Sequence, residues 1–149
     1  MTDITAFPTA TKRILVHGDN SYTFTAAETI KAGQLVSINS TGGDFTVYPA
    51  NSGDSVLPIG VADANAATSG TLTVHLYGTV AKVFNIDDTT AIEAGTALES
   101  TTVDGCVQAA GGGGTEYVVG IALEDIPATS SSDYGGGNML ICPHANMIA

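Results

Sequence analysis

The sequence predicts an all-β fold: a compact β-barrel or β-tulip/sandwich built from two similar halves, with an extended N-terminal arm. Three observations predict it. Short alternating apolar runs are separated by glycine-rich turns. The filler residues are Gly, Ala, Thr and Ser, while Leu, Glu, Lys and Arg, which build long helices, are scarce. A set of short motifs also recurs along the chain in a fixed order.

The chain has 149 residues, enough for one domain whose core folds without staples. Apolar residues make up 44%, so the acidity is not a sign of disorder. Residues 1–13 are polar, rich in Thr and broken by Phe7-Pro8, and they read as an extended arm. Residues 14–149 read as a single β domain.

Strand signals follow in series. Arg13-Ile14-Leu15-Val16-His17 stops at Gly18-Asp19-Asn20, and Tyr22-Thr23-Phe24-Thr25 alternates. Leu35-Val36-Ser37-Ile38 leads through the turn Thr41-Gly42-Gly43-Asp44 to Phe45-Thr46-Val47-Tyr48, which forms a hairpin. Leu72, Val74 and Leu76 share one face of the clearest strand, and Thr73, His75 and Tyr77 share the other. Gly78 breaks it before Val80-Ala81-Lys82-Val83-Phe84. Ala97-Leu98-Glu99, the run Tyr117 to Leu123, and Met139-Leu140-Ile141-Cys142 complete about ten short strands.

The motifs recur at nearly constant spacing. Ile30-Lys31-Ala32-Gly33 returns as Ile92-Glu93-Ala94-Gly95, Gly60-Val61-Ala62 as Gly120-Ile121-Ala122, and Ala67-Thr68-Ser69 as Ala128-Thr129-Ser130. Two copies of one meander, approximately 22–80 and 81–145, account for this. With only two copies, a shared core is expected rather than a solenoid. The second copy carries an extra Ser/Gly stretch over 130–137 with Tyr134 at its centre.

Charge excludes several function classes. Fifteen acids against four bases give a net charge of −11, the wrong sign for nucleic acid or an anionic membrane. Met1 to Pro8 shows neither a basic n-region nor an apolar h-region, so no signal peptide is read. Two cysteines, Cys106 and Cys142, do not make a disulfide scaffold, and two thiols are the favoured reading over a bridge.

No catalytic, metal or cofactor site is read from the sequence. Gly111-Gly112-Gly113-Gly114 lacks the Lys-Ser or Lys-Thr of a phosphate loop, and with Gly135-Gly136-Gly137 it reads as a flexible tip. His17, His75 and His144 stand in no metal-ligand spacing. Asp87-Asp88 with Glu93, and Glu124-Asp125, are loop acids without EF-hand spacing. No Gly-x-Ser-x-Gly elbow occurs. The arm is the candidate binding element: Phe7 with Pro8 offers an apolar anchor, and Lys12-Arg13 is the one basic pair in an acidic chain. An extended arm of this kind can add to a partner's sheet edge, with the basic pair meeting an acidic patch.

The runs Ile30-Lys31-Ala32-Gly33-Gln34-Leu35-Val36, Pro58-Ile59-Gly60-Val61-Ala62 and Val74 to Val83, continued by Ala94-Gly95-Thr96-Ala97-Leu98 and Val119-Gly120-Ile121-Ala122-Leu123, carry a resemblance over roughly residues 22–125. In them the chain resembles the capsid decoration, or cement, proteins of tailed bacteriophages and related viruses. The resemblance implies a small β subunit, often a homotrimer, on the outside of a mature capsid. It implies the major capsid protein as partner, docking through the arm (Phe7, Pro8, Lys12, Arg13), and no enzymatic activity. The expected location is the virion exterior, after assembly in the host cytoplasm. The alternative expectation is a tail, fibre or surface-layer β subunit with adhesive loops, which the Tyr134 stretch would serve.

Overall fold

The computed structural model describes residues 20–39, 41–52, 56–87, 89–111, 117–128 and 136–145. Among these the fold is all-β, with ten strands and no helix. The first five are β1 (Ser21–Ala26), β2 (Leu35–Ile38), β3 (Thr46–Pro49), β4 (Pro58–Ala62) and β5 (Thr71–His75). The second five are β6 (Val80–Phe84), β7 (Ala97–Ser100), β8 (Val107–Ala109), β9 (Tyr117–Ala122) and β10 (Gly136–Ala145). The strand expected over 13–17 lies outside the described residues. The strand expected over 72–77 ends at His75, and Tyr77 sits exposed in the turn that Gly78 makes with its positive φ of 86°.

Strands β1 to β5 close a barrel in the order β1-β3-β2-β4-β5. The barrel closes where β1 runs antiparallel to β5 along Ser21–Thr25 and parallel to β3 at Thr25 and Ala26. Strands β6 to β10 form a sheet in the order β6-β10-β9-β7-β8, whose two edges meet, among the described residues, at a parallel bridge between Asn85 and Val107. Going round the barrel from β1 through β5, β4 and β2 to β3 gives the same succession.

The same contacts recur in both halves. Gly33 N–H donates to Ala62 O at 2.9 Å, and Gly95 N–H to Ala122 O at 2.7 Å. Ile30 exchanges two backbone hydrogen bonds with Ala66, and Ile92 does so with Ile126. Asn65 Oδ1 accepts from Ala32 N–H, and Asp125 Oδ1 from Ala94 N–H, both at 2.9 Å. Each half has a bulge in the equivalent place, after Val36 in β2 and after Leu98 in β7. There Gly60 and Gly120 face β5 and β10 so closely that a Cβ would run into the carbonyl oxygens of His75 and Leu140. That close approach explains why the recurring Gly-Val/Ile-Ala motif begins with glycine. These paired contacts support the division we propose, two copies of one meander over approximately 22–80 and 81–145.

Burial does not divide the same way. Phe24, Ile30, Val36, Val47, Leu72 and Val74 fill the barrel. The second cluster gathers Val83, Ile92, Leu98, Val107, Met139 and Ile141, and it also takes in Leu35, Ala50 and Val61 from the first half. Adjacent β2 residues therefore serve two clusters, Val36 the barrel and Leu35 the junction. Backbone bonds cross there too: Leu35 N–H donates to Gly105 O at 3.0 Å, and Gly105 N–H to Ala50 O at 2.8 Å.

Candidate attachment surface

Several of the polar residues noted in the sequence are held by contacts within the fold. A cavity of about 320 Å³ at the junction of the halves is lined by Gly33, Val61, Asp63, His75, Val80 and Phe84 among others, and His75 Nε2 lies 2.7 Å from Asp63 Oδ1. A second cavity of about 560 Å³ has the buried Glu99 in its wall, which accepts from Gln108 Nε2 at 2.6 Å and Gly111 N–H at 3.4 Å. Asp87 Oδ1 accepts from the N–H groups of Thr89 and Thr90 and the Thr89 hydroxyl, which hold its carboxyl below the usual aspartate range. Glu124 Oε1 accepts from Asn138 N–H at 3.0 Å. Among the described residues no three His, Cys, Asp or Glu side chains gather as a metal site. Asp88 and His17 lie outside the described residues, and His144 falls on β10.

Cys106 and Cys142 are both thiols. Burial pushes the Cys106 thiol pKa up, and the Asp104 charge pushes it further. Burial also raises that of Cys142.

Phe7, Pro8, Lys12 and Arg13 lie outside the described residues, as does most of the 130–137 stretch. A different surface emerges in the barrel, one that sequence reasoning missed. Tyr22, Phe24 and Ala26 alternate onto the interior face of β1, and Tyr22, the outermost, reaches the barrel mouth. Asn39 organises the loop from β2 to β3: its Oδ1 accepts from Thr41 N–H at 2.9 Å, Thr41 Oγ at 2.8 Å and Gly42 N–H at 3.1 Å. The loop delivers Phe45 beside β1, where Phe45 O accepts from Thr25 N–H at 2.8 Å.

Tyr22 and Phe45 stack with centroids 5.2 Å apart and planes 29° apart, and Phe24 meets Tyr22 edge-on at 5.7 Å. Phe24 is buried, whereas Tyr22 is 53% exposed and Phe45 58%. Phe45 also has a φ of 53°, a left-handed conformation that an aromatic residue adopts at a cost. The only sequence signal for this surface was Tyr22 and Phe24 sharing a face. Nothing in the local pattern brought Phe45 to them.

The class that this fold and surface define is a small all-β module with an exposed apolar aromatic surface. The phage cement protein family matches residues 16–134, and the chain belongs to that family. No curated protein sequence matches it. Among solved structures it is similar to the head fiber gp8.5 N base of bacteriophage phi29, with 19% identity and a TM-score of 0.57. That match covers 82% of this chain and 92% of the other, and it shows the shared fold.

Proposed function

We propose that the protein is a non-enzymatic decoration subunit that binds the outside of the mature capsid. It bridges neighbouring major capsid subunits and holds the shell against the pressure of the packaged genome. The observation that carries this reading is the family match across 16–134 of an acidic chain. A ligand that binds only the expanded shell stabilises that shell by mass action. In this reading the subunit is a homotrimer, and residues 1–13, with Phe7, Pro8, Lys12 and Arg13, supply the capsid contact. Three arms acting together gain about 10²–10⁴ in avidity over one.

Co-sedimentation with expanded capsids tests it. The full chain should pellet with the shells. Deleting residues 1–13 should leave folding and oligomer size unchanged while attachment is lost. Failure of the full chain to pellet would refute the capsid role, and full occupancy by the truncated chain would refute the arm.

A second reading, the base of a head or tail fibre, is supported by the fold shared with the phi29 head fiber N base over most of both chains. In that case the particle would carry the protein at the foot of a projection rather than as a bridge between capsid subunits.

A further inference from the structure

The two halves present equivalent rows of side chains on their outer faces. In the first half Leu35, Val61, His75 and Ser21 stand directly opposite one another across β2, β4, β5 and β1. In the second, Ala97, Ile121, Leu140 and Val80 do so across β7, β9, β10 and β6. Directly opposed residues share a face of the sheet.

The rows differ in what covers them. Leu35 and Val61 are 0% and 1% exposed because the second half lies on them. The second row is apolar at every position; Ile121 is 38% exposed, and Val80, at the rim of the junction cavity, is 51% exposed.

The first row is received by the mouth of the second half. Ala27 N–H donates to Val47 O and Ile86 N–H to Val107 O, so Phe45 and Gly105, each two residues earlier, hold equivalent places, both with positive φ. Tyr22 and Ala81 correspond likewise, each following the last residue of its row. In the second half this mouth is small, made of Ala81 and Gly105, and Gly105 bonds directly to Leu35. A Cβ at Gly105 would strike Gln34. In the first half the corresponding mouth carries Tyr22 and Phe45, and both are exposed.

We propose that chains associate head to tail, the Tyr22–Phe45 mouth of one receiving the Ala97–Ile121–Leu140–Val80 row of the next. This repeats between molecules the contact class that joins the halves within one. It deepens the trimer reading above by naming the contacting surfaces, and it rests on that reading only for the number of chains. One further observation favours a second copy as the occupant. An aromatic residue stands where the equivalent position is glycine, in a conformation that favours glycine. A heterologous contact of this kind closes a ring when its rotation permits.

Phe45→Asp breaks the mouth and Ile121→Asp breaks the row, both at exposed sites. In sedimentation velocity on the full chain, the wild type should run as an oligomer and each variant as a monomer. An equimolar mixture of the variants should form 1:1 dimers, since one supplies an intact row and the other an intact mouth. Circular dichroism verifies folding, and Tyr22→Asp replaces Phe45→Asp should the latter unfold. A monomeric wild type would overturn the proposal. So would a variant that keeps the wild-type mass, or a mixture that stays monomeric. Capsid co-sedimentation reads the other proposal separately: an intact oligomer that ignores capsids refutes the cement role and leaves this contact standing.

Discussion

Replacing Leu35 by alanine gives the first half the residue that the second half carries at the equivalent position, Ala97. The consequences should be unequal, because Leu35 is fully buried at the junction while Ala97 lies in the open row. Three buried carbons are lost, at about 0.8 kcal/mol each, which sets a floor near 2 kcal/mol. The cavity left behind raises the expected cost to about 2–5 kcal/mol, since the junction is tied by backbone hydrogen bonds and cannot simply collapse. For a chain of this size that lowers Tm by roughly 5–15 °C.

Urea and thermal unfolding followed by tyrosine fluorescence and far-ultraviolet circular dichroism would measure it, at several protein concentrations so that association is separated from folding. A single cooperative transition displaced as a whole is the expected result. The reverse exchange, Ala97→Leu, should change stability by less than about 0.5 kcal/mol. A Leu35→Ala cost below about 0.5 kcal/mol, or two resolved transitions of which only one moves, would refute a core shared by the halves.

Other predictions follow from the same geometry. Gly60→Ala and Gly120→Ala force a Cβ against a carbonyl of the partner strand and should each cost at least about 1–3 kcal/mol in urea unfolding. Gly78→Ala meets no atom within 4 Å and bears only the penalty of its positive φ, about 1 kcal/mol. Phe45→Asn relieves a left-handed aromatic residue while removing its ring from Tyr22, so stability should stay within about 1 kcal/mol of wild type and association should be lost. The raised thiol pKa values mean less thiolate at neutral pH in the folded chain than in the unfolded one. Iodoacetamide labelling read by mass spectrometry should therefore be slow at pH 7, rise with pH, and be faster at every pH in urea. Asp104→Asn should speed it at Cys106 and leave Cys142 unchanged.

The parts of the fold legible in the sequence were those fixed by local alternation. Leu72 and Val74 point into the barrel and Thr73 does not, and the strand needs no other information. The recurrence of Gly60-Val61-Ala62 as Gly120-Ile121-Ala122 had a physical cause, the close strand approach at each bulge. Strand β8 escaped notice because Val107-Gln108-Ala109 is three residues long and gains its identity from pairing with β7. Leu35 and Val36 are both apolar, so the pattern could not tell which lines the barrel and which the junction. The aromatic surface was hidden for a related reason. Tyr22 and Phe45 meet through the parallel pairing of β1 and β3, which no local signal encodes, and the loop imposes a conformation on Phe45 that composition would assign to glycine.

Imaging of the intact phage particle at a resolution that shows strands tests the central claim most directly. The account predicts density for the ten-stranded body repeated over the outer surface of the capsid lattice, touching more than one major capsid subunit at each position. Density confined to the tail, or a lattice bare of this protein, would contradict it.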